Sequence, residues 1–209
     1  MKKSALSFLV LLFLAACSSG TKPANPESKP QAKPAPTAQY ETGREAFQKM
    51  YVSARMWAAD VKPFREQSQW SADAPTNEGK AGLWRASFAS PTKRAMKIFV
   101  WSGLVGPDAP EQGISFSAED TYNASNTSTE VFDIGFLKID SDEAFQVAQQ
   151  HGGDKLTKKD PKQPVVFTLD WDPRKTQLVW HVIYGENPDN AKLRVAVNAT
   201  SGDFLRVEK

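Results

Sequence analysis

The chain has 209 residues, of which 26 are basic and 24 acidic, and it contains a single cysteine. Five of the basic and one of the acidic side chains lie in residues 1–39, so 21 basic and 23 acidic ones remain beyond that segment. This near balance argues against nucleic-acid binding, which relies on a basic surface. A lone cysteine excludes an intramolecular disulfide. The length beyond residue 39 suits one domain or two small ones.

The N-terminal segment has the layout of a bacterial export signal. Lys2 and Lys3 precede an apolar run over residues 5–16, which is shorter than the roughly 20 residues that a transmembrane helix needs. The tetrapeptide Leu14-Ala15-Ala16-Cys17 resembles the bacterial lipobox. That resemblance implies diacylglycerol transfer to the Cys17 thiol, cleavage after residue 16 and acylation (palmitate) of the new amino terminus. The alternative is an ordinary export signal with an incidental cysteine.

The residues after Cys17 are predicted to be a tether. Residues 17–39 are rich in Pro, Ala, Lys and Ser and contain no aromatic side chain, a composition typical of disordered segments. Two or more acyl chains hold a protein stably on a membrane, so the lipid is the predicted membrane contact. By the rules of the lipoprotein family, Ser18 after the cysteine implies the outer membrane, with the protein facing the periplasm. We therefore predict a signal peptide over 1–16 and a lipidated Cys17 with its tether over 17–39.

Residues 40–137 are predicted to form a first α+β unit. Thr42-Gly43-Arg44-Glu45 has the pattern of a capping box, and the apolar side chains that follow it have the spacing of one helical face. Three extended segments over 63–70, 82–90 and 94–103 are predicted strands. In the last of them Met96, Ile98 and Val100 alternate with Lys97, Phe99 and Trp101, the period of a strand with two different faces. A long loop or hairpin is predicted after them.

Residues 138–209 repeat the same order of elements. Asp140 and Glu143 have the spacing of an N-cap and its N3 partner, and Gly152 with Gly153 is predicted to end the helix. Strands are predicted over 165–171, 177–185 and 192–200, followed by a turn and a short closing strand. A helix followed by three or four antiparallel strands, used twice, predicts two α+β units in tandem. The alternative is one continuous sheet with two helices on one face.

The second unit resembles a PepSY domain, the small module of thermolysin-type peptidase propeptides and many envelope proteins. The resemblance is carried by the helix over 139–153, the strands over 165–171 and 178–185, and the closing segment over 192–208. Asn198 in the last turn stands where the family usually has Asp. The resemblance implies a noncatalytic protein-binding module, which could restrain a peptidase in trans. The alternative is a structural or accessory envelope lipoprotein that contacts the cell wall or a membrane complex.

The sequence offers few residues for catalysis. It has two histidines, and it contains no zinc-protease, phosphate-loop or serine-hydrolase motif. Asp170 and Asp172 form the best carboxylate pair, because positions i and i+2 of a strand share a face. Ca²⁺ usually takes about 6–8 oxygen ligands, so two carboxylates do not predict a metal site. We predict no cofactor, no metal and no enzyme activity, an enzyme using Asp170 and Asp172 being the least favoured function.

A protein partner is the better prediction. Aromatic and arginine side chains dominate protein-binding hot spots, and a patch of this kind is predicted on the less apolar side of the first sheet. The alternative is that this surface packs against the second unit, and Trp84 and Trp180 are expected in the core. The predicted patch consists of Arg85, Lys97, Phe99 and Trp101.

Overall fold

A computed structural model describes residues 37–72, 74–76 and 78–209. The predicted signal peptide, Cys17 and most of the predicted tether lie outside these residues. The described residues form an α+β fold with one large antiparallel sheet. None of their helices has the length and apolar character that crossing a bilayer requires.

Three α-helices and nine strands occur in the described part of the chain. The helices are α1 Gly43–Trp57, α2 Ser141–Ala148 and α3 Asp154–Lys159. The strands are β1 Lys62–Ser68, β2 Leu83–Ser90, β3 Ala95–Ser102, β4 Gly113–Phe116, β5 Asp120–Thr121, β6 Val165–Asp172, β7 Gln177–Tyr184, β8 Leu193–Asn198 and β9 Phe204–Val207.

The strand order of the sheet is β4-β3-β2-β1-β6-β7-β8-β9, and the short β5 also pairs with β3. Apart from β5, neighbouring strands are consecutive in the chain except at the centre, where β1 pairs with β6 through Arg65↔Asp170, Glu66↔Leu169 and Gln67↔Thr168. Each half of the sheet therefore begins at the centre and adds its later strands outward. The two halves share one continuous sheet, which is the arrangement that the sequence left as the alternative.

The two long helices begin as the sequence predicts. Thr42 and Glu45 form a capping box at the start of α1, and Asp140 and Glu143 form another at the start of α2. The glycine pair interrupts the helical region, as predicted: Gly152 has a φ of +110°, which no helix adopts, and the chain turns there into the separate short helix α3.

Gly153, the second glycine of that turn, lies against the sheet. A Cβ atom at Gly153 would lie 1.9 Å from the Tyr184 hydroxyl oxygen, a distance that no side chain tolerates. The glycines therefore redirect the chain and let it approach the sheet closely.

The core lies between the helices and one face of the sheet. Alternate side chains of β2 and β7 point into it, among them Trp84 and Trp180, whose rings meet edge to face with centroids 6.3 Å apart. The Trp84 Nε1–H donates to the Glu41 carbonyl and the Trp180 Nε1–H to the Ile139 carbonyl. Each acceptor immediately precedes the N-cap of a helix, so each tryptophan fixes the start of one helix on the sheet.

The starts of α1 and α2 share one polar junction. The Asp140 carboxylate accepts hydrogen bonds from the Thr42 hydroxyl at 2.7 Å and from the Arg44 N–H at 2.9 Å, in addition to one from Ser141 in its own helix. The Gly43 N–H donates to the Ser141 hydroxyl at 2.8 Å. One carboxylate therefore caps both helices, and the junction fixes them relative to each other.

Candidate binding surface

The predicted patch is divided between the two faces of the sheet. Arg85 pairs with Val100 on the face away from the helices, whereas Lys97, Phe99 and Trp101 lie on the helix side. Phe99 and Trp101 are only 1% and 3% exposed. The prediction of one exposed surface with all four residues is therefore wrong. Phe99 is covered by Trp57 of α1 and by Phe116 of β4 rather than by the second half of the chain.

An exposed apolar surface does lie next to the predicted patch. Met56 near the end of α1 is 86% exposed, and Phe116 at the end of β4 is 62% exposed. With Trp57 and Lys97 they line an open cavity of about 430 Å³ whose floor is Phe99. We call Met56, Trp57, Lys97 and Phe116 the Met56 surface. Of the predicted residues, Lys97 forms a wall of this cavity and Phe99 its base, whereas the most exposed members, Met56 and Phe116, were not predicted.

Lysine side chains bind the aromatic rings of this surface. The Lys97 ammonium lies 4.8 Å from the centroid of Phe116 and 5.6 Å from that of Trp57, and the Lys93 ammonium lies 5.6 Å from Trp57. Glu119 accepts a hydrogen bond from the Trp57 Nε1–H at 2.8 Å and lies 3.9 Å from the Lys97 ammonium. Cation–π contacts of this kind hold the rings in place. The result is an aromatic surface with two lysines and one carboxylate at its rim.

A second polar region, centred on His181, lies on the face of the sheet away from the helices. His181 is buried there, with Nδ1 2.8 Å from Glu208 and Nε2 3.2 Å from Asp170. Burial lowers the His181 pKa, but the hydrogen bonds and charges of Asp170 and Glu208 outweigh it, so the pKa is raised overall. Asp170 also lies 3.6 Å from the Arg65 guanidinium. The imidazole therefore links β7 through hydrogen bonds to β6 and to the chain just after β9.

Asp172 shares this face with Asp170, as the strand periodicity predicts, but it has different partners. It accepts hydrogen bonds from the Arg174 and Lys175 N–H groups and lies 3.7 Å from the Arg206 guanidinium. In the part of the chain that the structure describes, no three His, Cys, Asp or Glu side chains are arranged to hold a metal ion.

His151 lies apart from the Asp170–Asp172 region. Its ring stacks on Phe204 with centroids 3.6 Å apart, so the last strand covers it.

Sequence reasoning missed a buried carboxyl group in β1. Glu66 is fully buried on the helix side of the sheet, and neither of its carboxyl oxygens has a hydrogen-bond partner among the described residues. Burial raises its pKa well above the ordinary value, and the neighbouring charge of Asp140 adds to the shift. The segment around it is polar, which is typical of a solvated strand, so its sequence gives no signal of a core position.

The two long helices also share a short sequence repeat, which the sequence analysis did not use. The tetrapeptide Glu-Ala-Phe-Gln occurs at residues 45–48 and again at 143–146, in both cases starting at the N3 position of a capped helix. In both copies the alanine and phenylalanine are buried. The repeat therefore marks equivalent core positions in α1 and α2.

Comparisons with known proteins give a fold but no family. No protein-family model and no curated protein matches this sequence. A solved structure with a similar fold is that of CD1622, a candidate lipoprotein from Clostridium difficile 630. It is 11% identical, with a TM-score of 0.50, and the match covers 78% of this chain and 91% of that one. At this level of identity the likeness shows the fold alone: this chain shares its α+β architecture with CD1622.

Proposed function

We propose that this protein is a lipid-anchored protein of the bacterial envelope, held at the outer membrane and facing the periplasm. The support is the lipobox-like sequence that ends at Cys17, the serine that follows it and the structural likeness to a candidate lipoprotein. The tether over residues 17–39 then places the folded part at a distance from the bilayer. With an extended rise of about 3.1 Å per residue, that distance is on the order of 70 Å at most.

The folded part consists of two PepSY-like units that share a sheet. Four observations support this proposal: the same outward strand order in both halves, the two capping boxes, the repeated Glu-Ala-Phe-Gln tetrapeptide and the equivalent hydrogen bonds of Trp84 and Trp180. The proposed boundary between residues 137 and 138 lies just before the second capping box.

The folded part acts by binding a protein and not by catalysis. The observation that carries this proposal is the Met56 surface, where Met56 and Phe116 are largely exposed beside the amphipathic ring of Trp57. Contiguous exposed apolar side chains mark interaction sites in soluble domains, and tryptophan is enriched among the residues that dominate binding energy. A peptidase restrained in trans is the partner that the PepSY resemblance favours.

Site-specific crosslinking in cells tests the protein-binding proposal. A photoreactive amino acid replaces Met56, and in the matched control it replaces Val105, which is 45% exposed in the loop after β3. We expect an adduct with one envelope protein from position 56 alone, and its loss when Phe116→Glu is added. If the adduct contains a peptidase, the purified chain should inhibit that peptidase saturably. An adduct with a wall-associated protein would favour the structural role, and equal labelling from both positions would refute a partner at this surface.

The lipid anchor is tested separately. Cys17→Ser should abolish incorporation of labelled palmitate and move the protein from the membrane fraction to the soluble fraction. Retention of the label in this variant would refute the anchor without affecting the proposal for the Met56 surface.

A further inference from the structure

Strand β4 forms an open edge of the sheet beside the Met56 surface. It pairs with β3 on one side, and no described strand pairs with its other side. The Ser117 N–H donates to the Ile98 carbonyl at 2.9 Å. Because the inward and outward directions alternate along an antiparallel strand, Ile114 and Phe116 direct their N–H and C=O groups away from β3.

The same two residues direct their side chains toward the helix side of the sheet. Ile114 pairs with Trp101 and Phe116 with Phe99, both of which lie in the core under α1. The outward backbone groups of β4 therefore run along the cavity that Met56 closes from the opposite side. One wall of this cavity is a strand edge, and the other is the last turn of α1.

We infer that an extended segment of a partner protein adds to β4 as a further strand and places alternate side chains between β4 and α1. This inference rests on the proposed function and specifies how the Met56 surface is used. Strand addition beside a groove is a recurrent mode of peptide recognition, in which the backbone supplies affinity and the groove supplies specificity. The segment is short, because after Ser117 the chain leaves the ladder over residues 118–119 before β5 begins.

The charges at the rim indicate the composition of the segment. Lys93 and Lys97 lie at the aromatic rings, and Glu119 is the carboxylate between Trp57 and Lys97. Two ammonium groups against one carboxylate leave a positive rim, which complements an acidic side chain. The segment therefore combines apolar residues with at least one carboxylate.

Other occupants fit this site less well. A bilayer would leave the outward N–H and C=O groups of β4 without partners, which is costly in hydrocarbon. A second copy paired edge to edge would bring Lys93 and Lys97 against the same lysines. Residues 18–36 of this chain contain three lysines and no large apolar side chain, so they match neither the cavity nor its rim.

Hydrogen exchange measured by NMR tests the inference on the chain from residue 17 with Cys17→Ser. The probe is a blocked hexapeptide, Leu-Thr-Glu-Thr-Leu-Thr, and its control carries Lys in place of Glu. We expect the probe to slow exchange of the Ile114 and Phe116 amides by about tenfold or more. The Ser115 amide, which already faces β3, should change little. The control should bind about tenfold more weakly, because it exchanges an attraction for a repulsion at the rim.

Two variants and a lipid control complete the experiment. Met56→Glu should weaken binding of the probe, whereas Val105→Glu, at an exposed position that lines a different cavity, should not. If neither the probe nor its control protects the two amides at millimolar concentration, the inference is wrong. It is also wrong if vesicles of phosphatidylethanolamine and phosphatidylglycerol bind the chain through Met56 while the probe does not. A partner crosslinked at Met56 whose binding leaves the two amides exchanging would refute strand addition and leave the proposed function standing.

Discussion

Replacing Glu66 should stabilise the protein, although the residue lies at the centre of the sheet. Its side chain is fully buried between Ala86 and Leu169, its partners on the neighbouring strands. Neither carboxyl oxygen forms a hydrogen bond with another described residue. Methionine has a similar length, is unbranched and adapts to irregular space in a core, so Glu66→Met removes the polar atoms without a large change in volume.

The expected gain follows from the missing hydrogen bonds. A buried polar group without a partner costs about 1–3 kcal/mol, and Glu66→Met removes this cost. We therefore expect the free energy of unfolding to rise by about 1–3 kcal/mol below pH 4.5, where Glu66 is protonated in both states, and by more than that at pH 7. In a domain of this size, each kcal/mol corresponds to about 2–4 °C in Tm. Glu66→Gln is the matched control, because it keeps the buried polar group and removes only the ionisation.

The gain should also depend on pH, with a sign set by the raised pKa of Glu66. Because the pKa is higher in the folded state, the folded protein keeps a proton that the unfolded chain releases above about pH 4.5. Below pH 4.5 the ionisation of Glu66 therefore has no effect on the free energy of unfolding. As the pH rises from there toward the folded pKa, the wild type loses stability. The advantage of Glu66→Met over the wild type should grow as the pH rises above 4.5 toward the folded pKa, and the same pH dependence should appear for Glu66→Gln.

Urea unfolding followed by tryptophan fluorescence measures these differences, since Trp84 and Trp180 are fully buried in the same core. The wild type and both variants are compared at several pH values, so that contributions from other titrating groups cancel. A loss of more than about 1 kcal/mol in Glu66→Met at every pH would refute the reasoning. It would mean that the carboxyl group is satisfied in solution, for example by a bound water.

Two further predictions concern the opposite face and the core. The raised pKa of His181 means that its contribution to stability is present below pH 6.5 and is lost as the pH rises through the folded pKa. When the two proteins are compared by urea unfolding, His181→Gln should lack this decline in stability. An unchanged decline would assign it to another titrating group. Trp84→Phe and Trp180→Phe each remove a hydrogen bond to a residue before a helix and should each cost about 1–3 kcal/mol. Because the two rings touch, a double-mutant cycle should give a coupling of about 0.5–1.5 kcal/mol, whereas strictly additive losses would contradict that contact.

Local patterns predicted most of the elements because each has its own signal in the chain. The capping boxes at Thr42 and Asp140 located the two long helices, and the extended segments predicted over 165–171 and 177–185 coincide with β6 and β7 within a residue. These signals depend on neighbours within a few residues. These helices and strands can therefore be predicted without knowledge of the tertiary structure.

The candidate site could not be predicted in the same way because it depends on register. Arg85 and Lys97 would share a face if β2 and β3 were shifted by one residue, since such a shift exchanges the faces of a whole strand. The observed pairing of Phe88 with Lys97 puts Arg85 on the other side. The exposure of Met56 depends in turn on where β4 returns to the sheet after a loop of about ten residues. The central pairing of β1 with β6 joins segments about 100 residues apart, and no local pattern specifies it.

Asp140 offers the most direct test of how the two halves are joined. Its carboxylate accepts hydrogen bonds from Thr42 and Arg44 across the junction and from Ser141 in its own helix, whereas Thr42 caps only α1. One N-cap is worth about 1 kcal/mol, so Thr42→Ala, which also removes one of the hydrogen bonds to Asp140, should cost about 1–2 kcal/mol. Asp140→Ala, which removes acceptors from both helices, should cost about 2–4 kcal/mol.

Asp140→Asn keeps an acceptor but loses the negative charge at two helix N-termini, so its cost should lie between these values. The same substitution removes the charge that raises the Glu66 pKa beyond the effect of burial. The pH dependence assigned to Glu66 should therefore weaken in Asp140→Asn but persist. Equal losses in Thr42→Ala and Asp140→Ala, measured by urea unfolding, would show that the two helices are capped independently.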